Sequence, residues 1–316
     1  MDMRKLGKSG LSTAPIVFGG NVFGWTIDEK TSFDVLDAFV DHGFNAIDTA
    51  DVYSAWAPGN KGGESETIIG AWLKARPGMR EKVTIFTKVG SDMGGPEKKG
   101  LSKRWILEAV EDSLKRLGID HIDLYFSHWP DATPYAETLS AYDVLLKAGK
   151  VRAIGASNLN AEQLGEALKV AESEGLPAYQ VLQPEYNLYA RSTFEGPLRD
   201  LCIKEDIGVV TYYSLASGFL TGKYRSEADF GQSARGKGMA KYLDARGKAI
   251  LAALDEVAAN HGAKPAEVAL AWLIASPGVT APIASATSVT QVETFAKAAA
   301  LSLSADDMAA LNGAGA

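Results

Sequence analysis

The chain has 316 residues, 46% of them hydrophobic and 22% charged, a globular balance that rules out disorder as the main state. Its 32 Lys+Arg against 39 Asp+Glu give a formal net charge of −7, which argues against a nucleic-acid partner, because binding phosphates calls for a basic surface. A single cysteine, Cys202, excludes an internal disulfide, and four histidines (His42, His121, His128 and His261) are too few for a multi-ligand zinc or iron site, so no metal is expected.

Short apolar runs alternate with amphipathic stretches from end to end. MRKLGKSGLST (3–13) predicts a β-hairpin turning between Gly7 and Gly10. The first buried strand is expected at 14–20 and a helix at 31–42, with Phe33, Leu36 and Phe39 on one face. Strand 44–48 precedes helix 64–75. Strand 83–88 precedes helix 102–117, with Ser102 as N-cap and Gly118 as C-cap. Strands 122–128, 151–157 and 179–183 are each followed by a helix, at 135–148, 161–173 and 192–206; the last of these holds Cys202 as a buried apolar residue. Strand 207–213 opens into a Gly- and Lys-rich loop, 214–242. Helices 243–261 and 265–276, strand 279–283 and a last helix, 289–300, complete the series.

Eight strand–helix units of this length favour one closed (β/α)8 TIM barrel with an N-terminal β-hairpin and extended loops at its C-terminal face, read as one domain over 1–316. An open dinucleotide-binding sheet would carry G-x-G-x-x-G after its first strand, and GGNVFG does not fit. GFLTGKY likewise lacks P-loop spacing. The polar start MDMRKLGKSG has no apolar core of a signal peptide, and no apolar run approaches the ~20 residues of a membrane span. A cytoplasmic protein with no membrane partner is expected.

In such barrels the chemistry lies at the C-terminal strand ends. The apolar runs here end in Asp48 (with Tyr53 close behind), Lys88, His128, Ser157-Asn158, Gln183 and Tyr212-Tyr213. Asp, Tyr, Lys and His together form an acid–base device. A free phenol has a pKa near ~10. An ammonium at Lys88 would lower it, Asp48 would hold that ammonium, and His128 would orient a substrate oxygen.

The segments RKLGKSGLS, FNAIDTADVYS, GGESETIIGAWL, FTKVG, IDLYFSHWPD, GKVRAIGASN, LQPEYNLY, GVVTYYSLASGFLTGKY and API-SATSVTQVE resemble, in sequence and order, the aldo-keto reductases. The resemblance covers the whole chain. It implies an NAD(P)H-dependent oxidoreductase that interconverts aldehydes or ketones and alcohols by hydride transfer, with Asp48, Tyr53, Lys88 and His128 as catalytic tetrad and Tyr53 as general acid/base. It also implies that Ser157, Asn158 and Gln183 bind the nicotinamide carboxamide. An aromatic ring stacks on the nicotinamide, Tyr212 when aligned back from GFLTGKY, or Tyr213 after a one-residue slip. Leu215, Ser217, Gly218, Leu220 and Lys223 lie along the pyrophosphate, and Ser285, Thr287, Ser288 and Gln291 face the adenosine end. The loop 215–242 is expected to move over the cofactor.

One departure concerns the cofactor. Relatives that prefer NADP(H) carry Lys or Arg near the start of the last helix, whereas 284–296 holds no basic residue. NADP(H), NAD(H) and dual use are therefore all open, and Arg225, Arg235 or Lys237 are candidate sources of the missing charge. Trp25, Trp56 and Trp129 are candidate pocket rings. The expected partner is a small carbonyl or alcohol whose identity the sequence does not give, as it does not give the oligomeric state. The alternative function is a nicotinamide-sensing regulatory subunit with little turnover, since the chain also distantly resembles potassium-channel β-subunits.

Overall fold

A computed structural model describes residues 1–233 and 235–314. Ala234, inside the predicted loop 214–242, and the last two residues of the predicted 1–316 domain lie outside the described residues. Strands β1 (Arg4–Lys5) and β2 (Ser12–Thr13) pair antiparallel around a 3-10 turn, Gly7–Ser9, as the hairpin reading expects. Eight parallel strands follow: β3 (Val17–Gly19), β4 (Ala46–Asp48), β5 (Thr84–Val89), β6 (Ile122–Ser127), β7 (Val151–Ser157), β8 (Val181–Gln183), β9 (Gly208–Thr211) and β10 (Ala281–Ala284). They close into a barrel in the order β10-β3-β4-β5-β6-β7-β8-β9, which is the (β/α)8 architecture.

The helices around the barrel are α1 (Glu29–Asp41), α2 (Glu64–Ala75), α3 (Lys103–Leu117), α4 (Tyr135–Lys147), α5 (Ala161–Glu174), α6 (Pro197–Glu205), α7 (Ala245–His261), α8 (Pro265–Ala275), α9 (Val289–Ala300) and α10 (Ala305–Ala314). Their ends follow capping chemistry. Asp28 accepts the Thr31 amide and starts α1 two residues before the predicted 31. Ser102 caps α3 as expected, and Gly118 ends it with φ +65°.

Four expectations are corrected. The helix predicted at 192–206 starts at Pro197, because Gly196 at φ +85° breaks the run and a proline fits the first helical turn. The predicted loop 214–242 is wound into 3-10 segments at Ala216–Thr221, Glu227–Gln232 and Gly236–Tyr242. The seventh barrel strand ends at Thr211, ahead of the predicted 213, and Tyr213 turns out of it at φ +54°. Finally, 289–300 is not the last helix. α10 follows, docked by Leu311, by His261 Nε2 to Asp307 Oδ2 (2.9 Å) and by Trp272 Nε1 donating to Asn312 Oδ1 (2.9 Å). Its apolar residues form no stripe, so its periodicity gives no signal.

Alternation along each strand sorts the core. Val17, Ala46, Phe86, Leu124, Phe126, Ala153, Val181, Val210, Ala281 and Ile283 fill the barrel, together with Leu6 and Leu11 of the hairpin. Gly7 lies against the Gly208 amide at the start of β9, so the hairpin plugs the N-terminal end of the barrel. Residues of opposite parity, such as Ile47, Ile85, Val89, Tyr125 and Ile154, pack outward against the helices. Burying each large apolar side chain is worth about 1.5–3 kcal/mol.

Candidate active site

The barrel core dictates which side chains reach its mouth. With period 2, Asp48 shares the inward face of Ala46, Lys88 that of Phe86, His128 that of Phe126, Ser157 that of Ala153, Gln183 that of Val181, Tyr212 that of Val210 and Ser285 that of Ile283. Each lies past the last apolar layer, at the C-terminal end of its strand.

Lys88 is fully buried, and its three N–H donors are all spoken for. They reach Asp48 Oδ2 at 2.7 Å, the Thr49 carbonyl at 2.8 Å and Tyr53 Oη at 3.0 Å. Because Lys88 donates to the phenol oxygen, the phenol's own hydrogen is left to point elsewhere. The other Asp48 oxygen accepts Gln183 Nε2 at 2.9 Å. His128, buried and 6.0 Å from Tyr53 ring to ring, meets Ser91 Oγ through Nδ1 at 3.0 Å.

The electrostatics depart from the sequence reading in one respect. An ammonium beside a phenol lowers its pKa, yet Tyr53 is pushed well above the ordinary tyrosine range, by burial first and by the Asp48 charge second. Burial also draws Lys88 down and Asp48 up, each opposed by the other's charge across the 2.7 Å contact. Burial, then Lys88, holds His128 well below the usual histidine range, so its imidazole is neutral. With protein groups alone around it, Tyr53 is held as the neutral phenol rather than a phenolate.

Ser157, Asn158, Gln183 and Tyr212 form one connected set. Ser157 Oγ donates to the Gln183 carbonyl (2.7 Å), Asn158 Nδ2 to the His128 carbonyl (2.9 Å), and Tyr212 Oη to Asn158 Oδ1 (2.7 Å). Asn158 takes the left-handed φ of +63°. Tyr212 packs on the barrel core, whereas Tyr213 is 46% exposed. Beyond them, Ala216, Ser217 and Gly218 are consecutive left-handed residues (φ +46°, +57° and +102°), with the Ala216 amide on the Tyr213 carbonyl (2.7 Å) and the Gly218 amide on the Leu215 carbonyl (2.8 Å). Leu215 and buried Leu220 flank that turn, and the Lys223 ammonium lies over the Tyr224 ring at 5.0 Å.

On the turn from β10 into α9, Ser285 Oγ donates to Asn21 Oδ1 (2.7 Å), and the Thr287 amide donates to Gln291 Oε1 (2.8 Å). Ser288 is the N-cap of α9, and its side chain makes no capping bond. The three candidate cations diverge. Arg225 is clamped bidentately on Asp255 (2.7 and 2.8 Å), Lys237 is exposed, and Arg235 lies over the Trp25 ring at 5.1 Å. Trp25 packs on Trp56 (5.6 Å), Trp56 on Tyr53 (5.9 Å), and His128 on Trp129 (5.7 Å), with Trp56 and Trp129 half exposed.

Ser91 escaped the sequence reading. Its only signal was its place three residues past Lys88. Asp51 did too: it is buried, its amide donates to the Lys88 carbonyl (3.3 Å), and neither carboxyl oxygen is hydrogen-bonded among the described residues.

A family model described as the aldo/keto reductase family matches residues 15–316. The chain is 35% identical over 322 residues to the uncharacterized oxidoreductase YrpG of Bacillus subtilis (99% of this chain, 95% of the relative). It is 34% identical over 309 residues to the aldo-keto reductase YhdN of the same organism (96% and 88%). It is also 34% identical over 307 residues to a probable voltage-gated potassium channel subunit beta of Arabidopsis thaliana (94% and 91%). No helix among the described residues is long and apolar enough to cross a membrane.

Proposed function

This chain belongs to the aldo/keto reductase family and is an NAD(P)-dependent oxidoreductase; from that premise we propose that it interconverts aldehydes or ketones and alcohols, with Tyr53 as the proton donor and acceptor. The observation that carries the reading is the contact of Lys88 Nζ with Tyr53 Oη (3.0 Å) and Asp48 Oδ2 (2.7 Å) in one buried site.

A nicotinamide held at this mouth would supply the hydride for the carbonyl carbon. Everything else is the work of this chain. Tyr53 gives its proton to the carbonyl oxygen as negative charge develops there. Lys88, already bonded to the phenol oxygen, stabilises the phenolate left behind, and Asp48 keeps Lys88 charged and in place. Ser91 Oγ–H donates to His128 Nδ1, which leaves the Nε2 proton to hold the substrate oxygen against Tyr53. In the reverse direction the Tyr53 phenolate takes the alcohol proton.

The Lys223 ammonium and the N-terminus of α9 suit the phosphates of an extended dinucleotide. In this reading Leu215, Ser217, Gly218 and Leu220 follow the pyrophosphate, and Ser285, Thr287, Ser288 and Gln291 take the adenosine end. Ser157, Asn158 and Gln183 would hold the carboxamide of a bound nicotinamide, and Tyr212 would flank its ring.

The test is Tyr53→Phe. Carbonyl reduction should fall by at least about 100-fold while the Kd for NADPH stays within twofold; near-normal turnover sinks the mechanism. A second reading, a cofactor-sensing subunit, draws on the likeness to the Arabidopsis relative. Tight cofactor binding with no turnover across a broad carbonyl panel would favour it.

A further inference from the structure

Tyr189, in the connection between β8 and α6, gathers the two ends of the long loop that follows β9. Phe219 lies near the start of that loop and Tyr242 at its end, and their rings stack 5.1 Å apart. The Tyr189 ring meets both edge-on, 4.9 Å from Tyr242 and 6.5 Å from Phe219, with the Arg246 guanidinium 5.1 Å over it. Its hydroxyl donates to Asp244 Oδ2 (2.8 Å), with the Lys241 carbonyl within 3.1 Å. A hydrogen bond to a carboxylate is stronger than one between neutral groups. Asp244 is anchored in turn, because its other oxygen accepts the Gly247 amide (2.7 Å) and caps α7.

Tyr189 is fixed from its own side as well. Buried Asn187 accepts the amides of Tyr189 (2.9 Å) and Ala190 (2.8 Å) on Oδ1 and donates to the Tyr213 carbonyl (3.0 Å). Arg191, paired with Glu195, donates to the Asn312 carbonyl of α10 (2.6 Å). Between these fixed points the loop starts under strain. Tyr213, Ala216 and Ser217 are not glycines, yet they hold φ of +54°, +46° and +57°. Such backbone persists only where surrounding contacts impose it, so strain at the start of the loop favours its release and the Tyr189 cluster opposes that.

We propose that Tyr189 is a positioning residue: through Asp244 it clasps the loop shut over a bound nicotinamide dinucleotide and sets how fast the cofactor leaves. A loop closed over an extended ligand must open before the ligand dissociates, and such opening often limits turnover. The inference rests on the proposed cofactor site, and the experiment separates the two.

Protein saturated with NADPH, and in parallel with NADH, is mixed with an excess of the oxidised cofactor, and the loss of bound-nicotinamide fluorescence gives the dissociation rate. Tyr189→Phe keeps the ring and removes the hydroxyl; Asp244→Asn keeps an N-cap and removes the charge. Each should speed dissociation by roughly 5- to 20-fold, while the association rate and the rate of hydride transfer in a single turnover stay as in the wild type. The double variant should release cofactor no faster than the faster single one, since both substitutions act on one bond. Dissociation within about twofold of the wild type in both single variants overturns the proposal, as do single effects that multiply in the double. A lowered Tm with unchanged dissociation marks a merely structural contact and overturns it too. A wild type that binds neither cofactor refutes the cofactor site and the clasp together. Binding without reduction of any carbonyl counts against the chemistry at Tyr53 alone, and the dissociation rates still decide the clasp.

Discussion

Gln183 Nε2 donates to Asp48 Oδ1 at 2.9 Å, a bond that ties the end of β8 to the end of β4 across the barrel mouth. It leaves Asp48 with one oxygen for Gln183 and the other for Lys88, so neither partner of the buried pair can be removed without stranding the other.

Lys88→Met should therefore destabilise the fold by about 3–5 kcal/mol, because a buried carboxylate loses its counter-charge. Lys88→Met with Asp48→Asn should lose clearly less, since no charge is then left unpaired. Urea denaturation of the two variants checks this, and a double variant no more stable than the single one contradicts it.

His128 sets an acid limit. Its folded pKa lies well below the value near ~6.5 of the unfolded chain. Between the two, the unfolded state binds more protons, so stability rises with pH in that window and is lost as pH falls below about 6.5. The slope approaches about 1.4 kcal/mol per pH unit for one group. Between pH 7.5 and 5.5, Tm should drop further in the wild type than in His128→Asn. Parallel curves would show that the imidazole is not the group responsible.

Inside the barrel, Gly155 of β7 lies under the Phe126 ring. A Cβ there would overlap the ring, with Phe126 Cδ1 at 2.6 Å and the Val181 carbonyl at 2.8 Å. Gly155→Ala should cost about 1–3 kcal/mol by overpacking, seen as a lower midpoint in denaturant. A smaller partner ring volume should relieve it, so Gly155→Ala with Phe126→Leu should lie above the single Gly155→Ala.

At the start of α9, Gln291 is exposed, and its amide oxygen is occupied by the Thr287 amide. No basic residue stands in 284–296. NADPH and NADH should thus bind within about tenfold of each other. Gln291→Arg should raise the NADPH affinity by roughly 3- to 10-fold through a charge-assisted phosphate contact while leaving NADH unchanged. Thermal shift against each cofactor reads both numbers, and a strong native preference for NADPH would point to a phosphate contact elsewhere.

Strand parity was legible in the chain alone. Once Ala46, Phe86, Phe126, Val181 and Val210 are assigned inward, Asp48, Lys88, His128, Gln183 and Tyr212 must follow them to the mouth, because side chains alternate with period 2 whatever the surrounding packing. The same local rule placed α2 and the caps of α3. It was silent about α10, whose face carries no stripe, and about α6, where Gly196 outweighs a run that otherwise reads as helix.

Charge was decided only by the folded molecule. Arg225 and Arg235 are the same residue type ten positions apart, yet one is neutralised by Asp255, thirty residues on, and the other is left beside Trp25. Tyr53 lies 3.0 Å from an ammonium, and its proton is still held more tightly than in water, because burial and Asp48 outweigh Lys88. Periodicity is a property of neighbours along the chain. Solvation and counter-ions are set by distance in space and by exclusion of water, and those exist only once the barrel has closed.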